Sequence, residues 1–447
     1  MKTKSALTPM LFFIITVLAF FRFSYLGFSY TPYLDDYIQY SFYPSYENPW
    51  QNILTGGAGI LFTRPLAGLL DFFLWSRFYK NLGILVAALA VLYGASAVFF
   101  YKGLKGCGIN VGTVFFVVFL FSPINTEATY WLSASTRISL SLFLASLSFY
   151  FATEKKTVLF FIFNFLSMWL YEQTAILSFF IGAFAAWEKK FVKTILIAAM
   201  SAFLLAVFYV LFANMGDNKS RIEMVDGMGI IKNIYIVLKD FIYAFFVVQF
   251  KIITRGFVRG FNIIAEDFSL IWISVLVILS IFFFNLGQDI EKNFKIRRKT
   301  LFIGVCLAIF PLIPFFITSE NPLNVRNITP SLLGIAIVLD NLGAALFKKY
   351  AALLSAALIF FFSVATVSET VDYEFTAKKD FHIASEICQR VDQNTKEVSV
   401  KISLPSYYTQ NAPWRDHIIS MTASDWGPTG IVRVLSGNKE MVVKIKK

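Results

Sequence analysis

Along most of the chain, long apolar stretches alternate with short polar ones, and that alternation predicts the fold. A helix needs about 20 mostly apolar residues to cross the hydrocarbon core of a bilayer. Stretches of this kind, loose at their ends, lie near 10–30, 82–101, 109–122, 137–152, 157–171, 174–187, 194–214, 268–286, 301–317, 329–347 and 351–367. The pattern predicts an all-α polytopic membrane protein with about 11 transmembrane helices over residues 1–368. The segment 230–267 reads differently. Its apolar run from Ile234 to Phe250 is broken by Lys239 and Asp240, which predicts amphipathic helices lying on a membrane surface within 215–267. After Ser368 the composition becomes that of a water-soluble segment. Residues 374–393 read as a helix, and Glu397 to Ile402, Ile431 to Leu435 and Met441 to Ile445 as strands. A small α/β domain over 369–447 is therefore expected.

Charge fixes the expected orientation. The basic clusters Lys2/Lys4, Lys102/Lys105, Lys155/Lys156, Lys189/Lys190/Lys193, Lys292 through Lys299 and Lys348/Lys349 all fall between spans at alternate crossings. Basic loops stay on the cytoplasmic side, so the N-terminus is expected inside, with the long loop 31–81 and residues 369–447 outside. Counting Ile234 to Phe250 as a crossing would export the cluster 295–299, a further reason to keep that segment on the surface. The start of the chain, Met1-Lys2-Thr3-Lys4 and then apolar from Met10, lacks a small-x-small cleavage site before Ser29; an uncleaved first span is expected.

Composition agrees and removes several function classes. Hydrophobic residues are 57% and charged residues 15% of the chain, with a mean hydropathy of +0.65, against about 25% charged in a soluble domain. The net charge of +12 would suggest nucleic acid in a soluble protein, but here the surplus sits in the topogenic loops, so no nucleic-acid partner is expected. Cys107, Cys306 and Cys388 lack metal-ligand spacing, and His382 and His417 are too few for a histidine-rich metal centre. There is no phosphate-binding glycine loop, dinucleotide fingerprint or serine nucleophile elbow.

The candidate chemistry lies in the exterior segments. Asp35-Asp36, inside Tyr33-Leu34-Asp35-Asp36-Tyr37, follows the first span. Paired carboxylates there answer to a cation, a base role or a basic partner, or else form a solvated turn or helix cap. Arg64, in Thr63-Arg64-Pro65-Leu66, can clamp a phosphate or snorkel to headgroups. Glu127, Arg137 and Glu172 are ionisable groups near the bilayer, where such groups face a cavity and pair; a Glu127–Arg137 salt bridge is the simplest arrangement. Arg22, inside the first span, carries the same ambiguity. Arg326, between the ninth and tenth spans, is a second phosphate ligand or a solvated loop residue.

The order of these elements resembles the GT-C class of polytopic glycosyltransferases, whose acidic motif follows the first span. Asp35-Asp36-Tyr37 followed by Thr63-Arg64-Pro65-Leu66 is similar to the bacterial branch that glucosylates O-antigen. So are Pro123 to Arg137, with Glu127, Tyr130-Trp131 and Ser133-Ala134, and Glu172 after the fifth span. The resemblance covers the N-terminal half, and the C-terminal half in layout only. It implies an inverting transferase of the bacterial inner or plasma membrane. The donor would be a polyprenyl-phosphate sugar, and the acceptor a cell-envelope glycan or lipid. Arg64, Arg137 or Arg326 would hold the donor phosphate, and Glu127, Tyr130, Trp131 and Glu172 would bind substrate. Asp35 or Asp36 would be the general base, or would hold a divalent cation (Mg or Mn) as metal ligands, although the pair has no evident further ligand. The competing readings are a transporter or flippase of lipid-linked saccharides and a non-catalytic envelope assembly protein. No half-to-half similarity supports the former, and the long early loop and exterior tail favour the transferase.

Overall fold

The computed structural model describes residues 16, 30–45, 47–51, 64–212, 223–267, 269–290, 298–319, 323–347, 350–391, 395–401, 418–424 and 426–446. The expected first span at 10–30 with Arg22, the cluster from Lys292 to Arg297, and Lys348/Lys349 lie outside these residues, apart from Thr16 and Tyr30. The elements are α1 (Pro65–Phe73), α2 (Leu82–Gly106), α3 (Thr113–Phe121), α4 (Leu132–Thr153), α5 (Thr157–Met168), α6 (Glu172–Lys189), α7 (Val192–Phe212), α8 (Gly227–Tyr243) and α9 (Gln249–Asp267). They continue as α10 (Leu270–Ile290), α11 (Arg298–Ile309), α12 (Leu332–Phe347), α13 (Ala351–Gln389), β1 (Glu397–Lys401), α14 (Trp426–Ser436) and β2 (Val442–Lys446).

Among the described residues, six helices are long and apolar enough to cross a membrane: Leu82–Gly106, Leu132–Thr153, Leu270–Gly287, Arg298–Ile317, Val325–Phe347 and Ala351–Gln389. The protein is thus an all-α multi-pass membrane protein in outline. Exposed apolar side chains such as Val158, Leu196, Phe203, Leu211, Ile278 and Phe302 suit contact with lipid. The expected spans 109–122, 157–171 and 174–187 give shorter or more polar helices, and 194–214 gives the 21-residue α7. In place of 109–122, α3 is a nine-residue helix. It starts where the Asp340 carboxylate accepts from the amides of Gly112 (2.7 Å) and Phe115 (3.0 Å). It stops at Ser122, extended ahead of Pro123, because a proline disfavours helical backbone in the residue before it. A 3-10 turn at Pro123–Asn125 and a single helical turn at Thr126–Tyr130 continue the path.

Two expectations for the tail need correction. The helix expected at 374–393 is the far end of α13, a single helix of 39 residues that rises about 58 Å at 1.5 Å per residue. The apolar run Ile431 to Leu435 is helix α14, not a strand. A short apolar run is ambiguous by itself. Gly427 to Val432 are all buried and Val434 is partly so, and the whole element, at eleven residues, has the length of a helix rather than a strand. The two strands form a parallel pair with Val398 opposite Val443.

The helix ends sort into two groups. At one end Lys155 lies 5.8 Å from the centre of the Phe191 ring, Lys299 pairs with Glu188 at 2.6 Å, and Thr113 bonds Ser355 at 2.6 Å. A Cβ on Gly106 would touch Thr153, and one on Gly287 would touch Ala352 and Thr113. The C-terminal ends of α2, α4 and α6, with Lys102, Lys105, Lys155 and Lys189, and the starts of α11 and α13 therefore share one end of the bundle. The opposite end gathers residues 30–45, 122–137, 169–173 and 323–331. The chain from α8 to α9 keeps to that opposite end: Asn233 donates to the Thr318 carbonyl at 2.9 Å, Gln249 to Ser122 at 2.7 Å, and Arg259 meets Asp372 at 2.5 Å. A five-residue π-helical stretch at Ala244–Val248 joins α8 to α9.

Candidate functional site

The site begins with a strained turn. Leu34 is 2% exposed and adopts φ of 38°, a left-handed conformation that is an outlier for a bulky residue. The strain turns the next two residues in different directions. Asp36 is fully buried. Its Oδ2 accepts from the Tyr30 hydroxyl (2.5 Å) and the Tyr33 amide (2.9 Å), and its Oδ1 accepts from the Ser133 amide (2.6 Å). Burial nonetheless pushes its carboxyl up to about 7, against those three bonds, because desolvation disfavours the charged form. Asp35 remains partly exposed and acts electrostatically on both Arg137 and Arg326. The pair is therefore split: the Asp36 carboxylate locks the segment Tyr30–Tyr37 onto the start of α4, and Asp35 stays partly exposed within electrostatic reach of two arginines.

Of the four arginines singled out in the sequence, Arg64, Arg137 and Arg326 are described, and each has a carboxylate partner. Arg64 Nε contacts Glu172 at 2.6 Å and its guanidinium lies 4.7 Å from the Tyr171 ring centre. Arg326 contacts Glu127 through Nη1 at 3.1 Å and through its amide at 3.2 Å, with the guanidinium 4.4 Å from the Trp131 ring centre. Arg137 pairs not with Glu127 but with Asp71, at 2.7 Å. Asp71 is fully buried and also accepts from Gln39 at 2.8 Å; burial raises its carboxyl in spite of Arg137. The pairs touch one another, since the Tyr171 hydroxyl donates to Asn327, beside Arg326, at 2.8 Å. Arg326, at 27% side-chain exposure, is the most open of the three, with 16% for Arg137 and 13% for Arg64.

An aromatic wall holds this arrangement to the tail. Tyr130 stacks on Tyr373 at 5.1 Å and lies 5.1 Å from Tyr30, while Tyr33 meets Trp131 and Tyr373 edge-on, each at 5.2 Å. The Tyr130 hydroxyl donates to Glu374 at 2.8 Å. The Tyr33 hydroxyl donates to the Ile419 carbonyl at 2.5 Å and accepts from the Ile419 amide at 2.6 Å. Asp380 of α13 accepts from Ser420 and from the Met421 amide. The fold thus gathers Asp35, Asp36, Glu127, Tyr130, Trp131, Arg137 and Arg326 in one place, with Arg64 and Glu172 adjoining through Tyr171.

Sequence reasoning missed Asp71, Gln39, Tyr373 and Glu374. Asp71 had a signal: it is the one acid in the apolar run Leu69 to Trp75, and such a residue near a bilayer seeks a partner. The others are set by tertiary contact. Three N–H and O–H donors already occupy the buried Asp36 carboxylate, and among the described residues no three acidic, His or Cys side chains cluster as metal ligands. Comparison with protein-family models, with curated proteins and with solved structures yields no match.

Proposed function

We propose that this chain is a membrane glycosyltransferase of GT-C type, moving a sugar from a polyprenyl-phosphate donor to a cell-envelope acceptor on the exterior face. The observation that carries the reading is the split acidic pair. Leu34 stores strain of about 1–3 kcal/mol, and beside it Asp35 stays partly exposed, within electrostatic reach of Arg137 and Arg326. Sugar transfer from a lipid phosphate needs a base for the incoming hydroxyl and positive charge for the departing phosphate at one point. In this reading the acceptor oxygen attacks the anomeric carbon and its proton passes to Asp35. The bond from that carbon to the phosphate oxygen breaks, and Arg326 takes up the charge that develops there, with Trp131 behind it. Inversion follows from a single in-line displacement. Asp36 holds the turn rather than the substrate, and no step runs through a metal ion.

The reading includes a topology of about eleven crossings, with the basic ends cytoplasmic and residues 369–447 as an exterior cap. The grouping of basic loops at one end of the bundle supports that orientation. The helices α3, α5, α6 and α7 would complete further crossings, the first three of them extended by turns and flanking segments.

The test is transfer from a defined polyprenyl-phosphate sugar in proteoliposomes, with wild type, Asp35→Asn and Arg326→Gln in parallel. Asp35→Asn should lower the rate by about 10²–10⁴-fold with unchanged thermal stability. Full activity in Asp35→Asn would remove the transferase mechanism and put the transporter reading in front.

A further inference from the structure

Helix α9 carries three distinct faces. Ile252, Gly256, Gly260 and Ile264, spaced by four, are buried and seat it on α13. A Cβ on Gly256 would come within 3.1 Å of the Ala365 carbonyl, and one on Gly260 within 2.0 Å of the Val364 carbonyl. On one side of this seam lie Phe250, Phe257 and Phe261, and the Phe257 ring is 4.8 Å from Phe361 and 5.9 Å from Phe360. On the other side lie Lys251, Arg255, Arg259 and Asn262. There Arg259 Nη1 reaches Asp372 at 2.5 Å and Ser368 at 3.3 Å.

The contacts therefore climb α13 in order. The aromatic edge meets Phe360–Phe361, the seam meets Val364–Ala365, and the basic edge meets Ser368–Asp372. From Phe360 to Asp372 is a rise of about 18 Å, and over it α13 passes from an apolar segment to one carrying Glu369, Asp372 and Glu374. An amphipathic helix with one aromatic and one basic edge settles in the plane where hydrocarbon gives way to headgroups. Here α13 supplies the vertical scale, and it puts that plane at the level of Ala365.

A groove of about 450 Å³, lined by Thr254, Arg255, Val258, Arg259 and Asn262, opens along the basic edge. Its lining holds two guanidinium groups and no carboxylate. Arg259 is held by Asp372, whereas Arg255 is exposed and makes no ion pair among the described residues. Its fork fits a phosphate in two-point fashion. Val258, 63% exposed, lines the same groove, and Phe261, 54% exposed, continues the apolar surface round the helix toward the aromatic edge. We infer that α9 is an interfacial helix whose basic edge binds the headgroup phosphate of an anionic phospholipid, with the acyl chains running down past Val258 and Phe261. A free phosphate would use the arginine alone; the adjoining apolar surface is what selects a lipid. This site is separate from the acidic pair and does not rest on the transfer reaction.

The experiment is native mass spectrometry of the purified full chain, offered phosphatidylglycerol and phosphatidylcholine in equal amount. Wild type should retain phosphatidylglycerol preferentially, and excess inorganic phosphate should not displace it. Removing a basic charge near a membrane surface weakens anionic-lipid attraction about fivefold. Lys251→Gln/Arg255→Gln should therefore lose retention by about 25-fold, while Arg255→Lys keeps most of it. Phe261→Gln, which leaves every charge in place, should also weaken retention. Unchanged phosphatidylglycerol retention in a double variant with wild-type thermal stability would overturn the proposal. Equal retention of phosphatidylcholine, or displacement by inorganic phosphate, would overturn it as well.

Discussion

Replacing Asp36 by Asn tests the split-pair geometry through stability alone. In the folded protein Oδ2 of Asp36 serves two neighbours, the Tyr30 hydroxyl and the Tyr33 amide. Tyr30 can reverse its role and accept from an Asn NH2 group, as it already accepts from the Leu132 amide at 3.2 Å. The Tyr33 N–H cannot reverse. It is left facing a donor in a buried place, which costs about 1–3 kcal/mol. The second consequence concerns pH. An unfolded aspartate titrates near 3.9, whereas folded Asp36 titrates at about 7. Below about pH 4 both states are protonated and wild type has its full stability from this group. Between about 4 and 7 the unfolded state ionises while the folded state keeps its proton, so stability falls as pH rises, by at most about 1.36 kcal/mol per pH unit. Above about 7 the fall stops. Asn does not titrate, so its curve lacks this slope. The variant should be less stable than wild type at pH 4, and the gap should close or reverse by pH 7. Thermal unfolding in detergent, followed by tryptophan fluorescence at several pH values, reads the difference directly. A variant deficit that is the same at every pH, or absent at pH 4, would refute the reasoning.

Other consequences are as direct. Arg326→Gln removes the guanidinium 3.1 Å from Glu127, a carboxylate 5% exposed in its side chain; the loss should be about 3–5 kcal/mol, and adding Glu127→Gln should restore much of it in a thermal-shift assay. Gly260→Ala should push α9 off α13, because the Val364 carbonyl stands 2.0 Å from the new Cβ; a cysteine pair at Arg259 and Ser368 that crosslinks in the parent should cease to do so. Cysteines placed at Lys299 and Lys444 should label from opposite sides of the membrane; same-side labelling would sink the topology and the exterior site with it.

Apolar periodicity placed most of the helices, because crossing a bilayer imposes a length that composition alone records. It failed where a local breaker intervened. Pro123 ends α3 after nine residues, whereas Pro311 and Pro314 put a 3-10 turn and a last short helix into the expected span 301–317 without removing it, since Arg298–Ile317 is still long and apolar enough to cross. The run Ile431 to Leu435 lies in helix α14 because five apolar residues fit either period and only the tertiary context decides. Asp35, Asp36 and the three arginines stood out as charges beside long apolar runs. Their pairings did not, since the partners lie as far apart as Glu127 and Arg326 and meet only after the bundle closes. Asp36 in particular reads as one half of an equal pair in the sequence, and nothing local reveals that its neighbour's backbone strain separates the two.

The unbroken run of α13 sets a tight tolerance on length. Its inner half packs among the apolar helices, while its outer half presents Tyr373 to Tyr33 and Tyr130, and Asp380 to Ser420. In a continuous helix one added residue shifts everything beyond it by about 1.5 Å and turns it by about 100°. A single insertion between Val367 and Asp372 would carry Asp372 away from Arg259, Tyr373 out of the aromatic wall and Asp380 off Ser420 in one motion. A loop would absorb the same residue. The two halves of α13 are phase-locked like gears on a common shaft, so this stretch can change freely in composition on its exposed side but not in length.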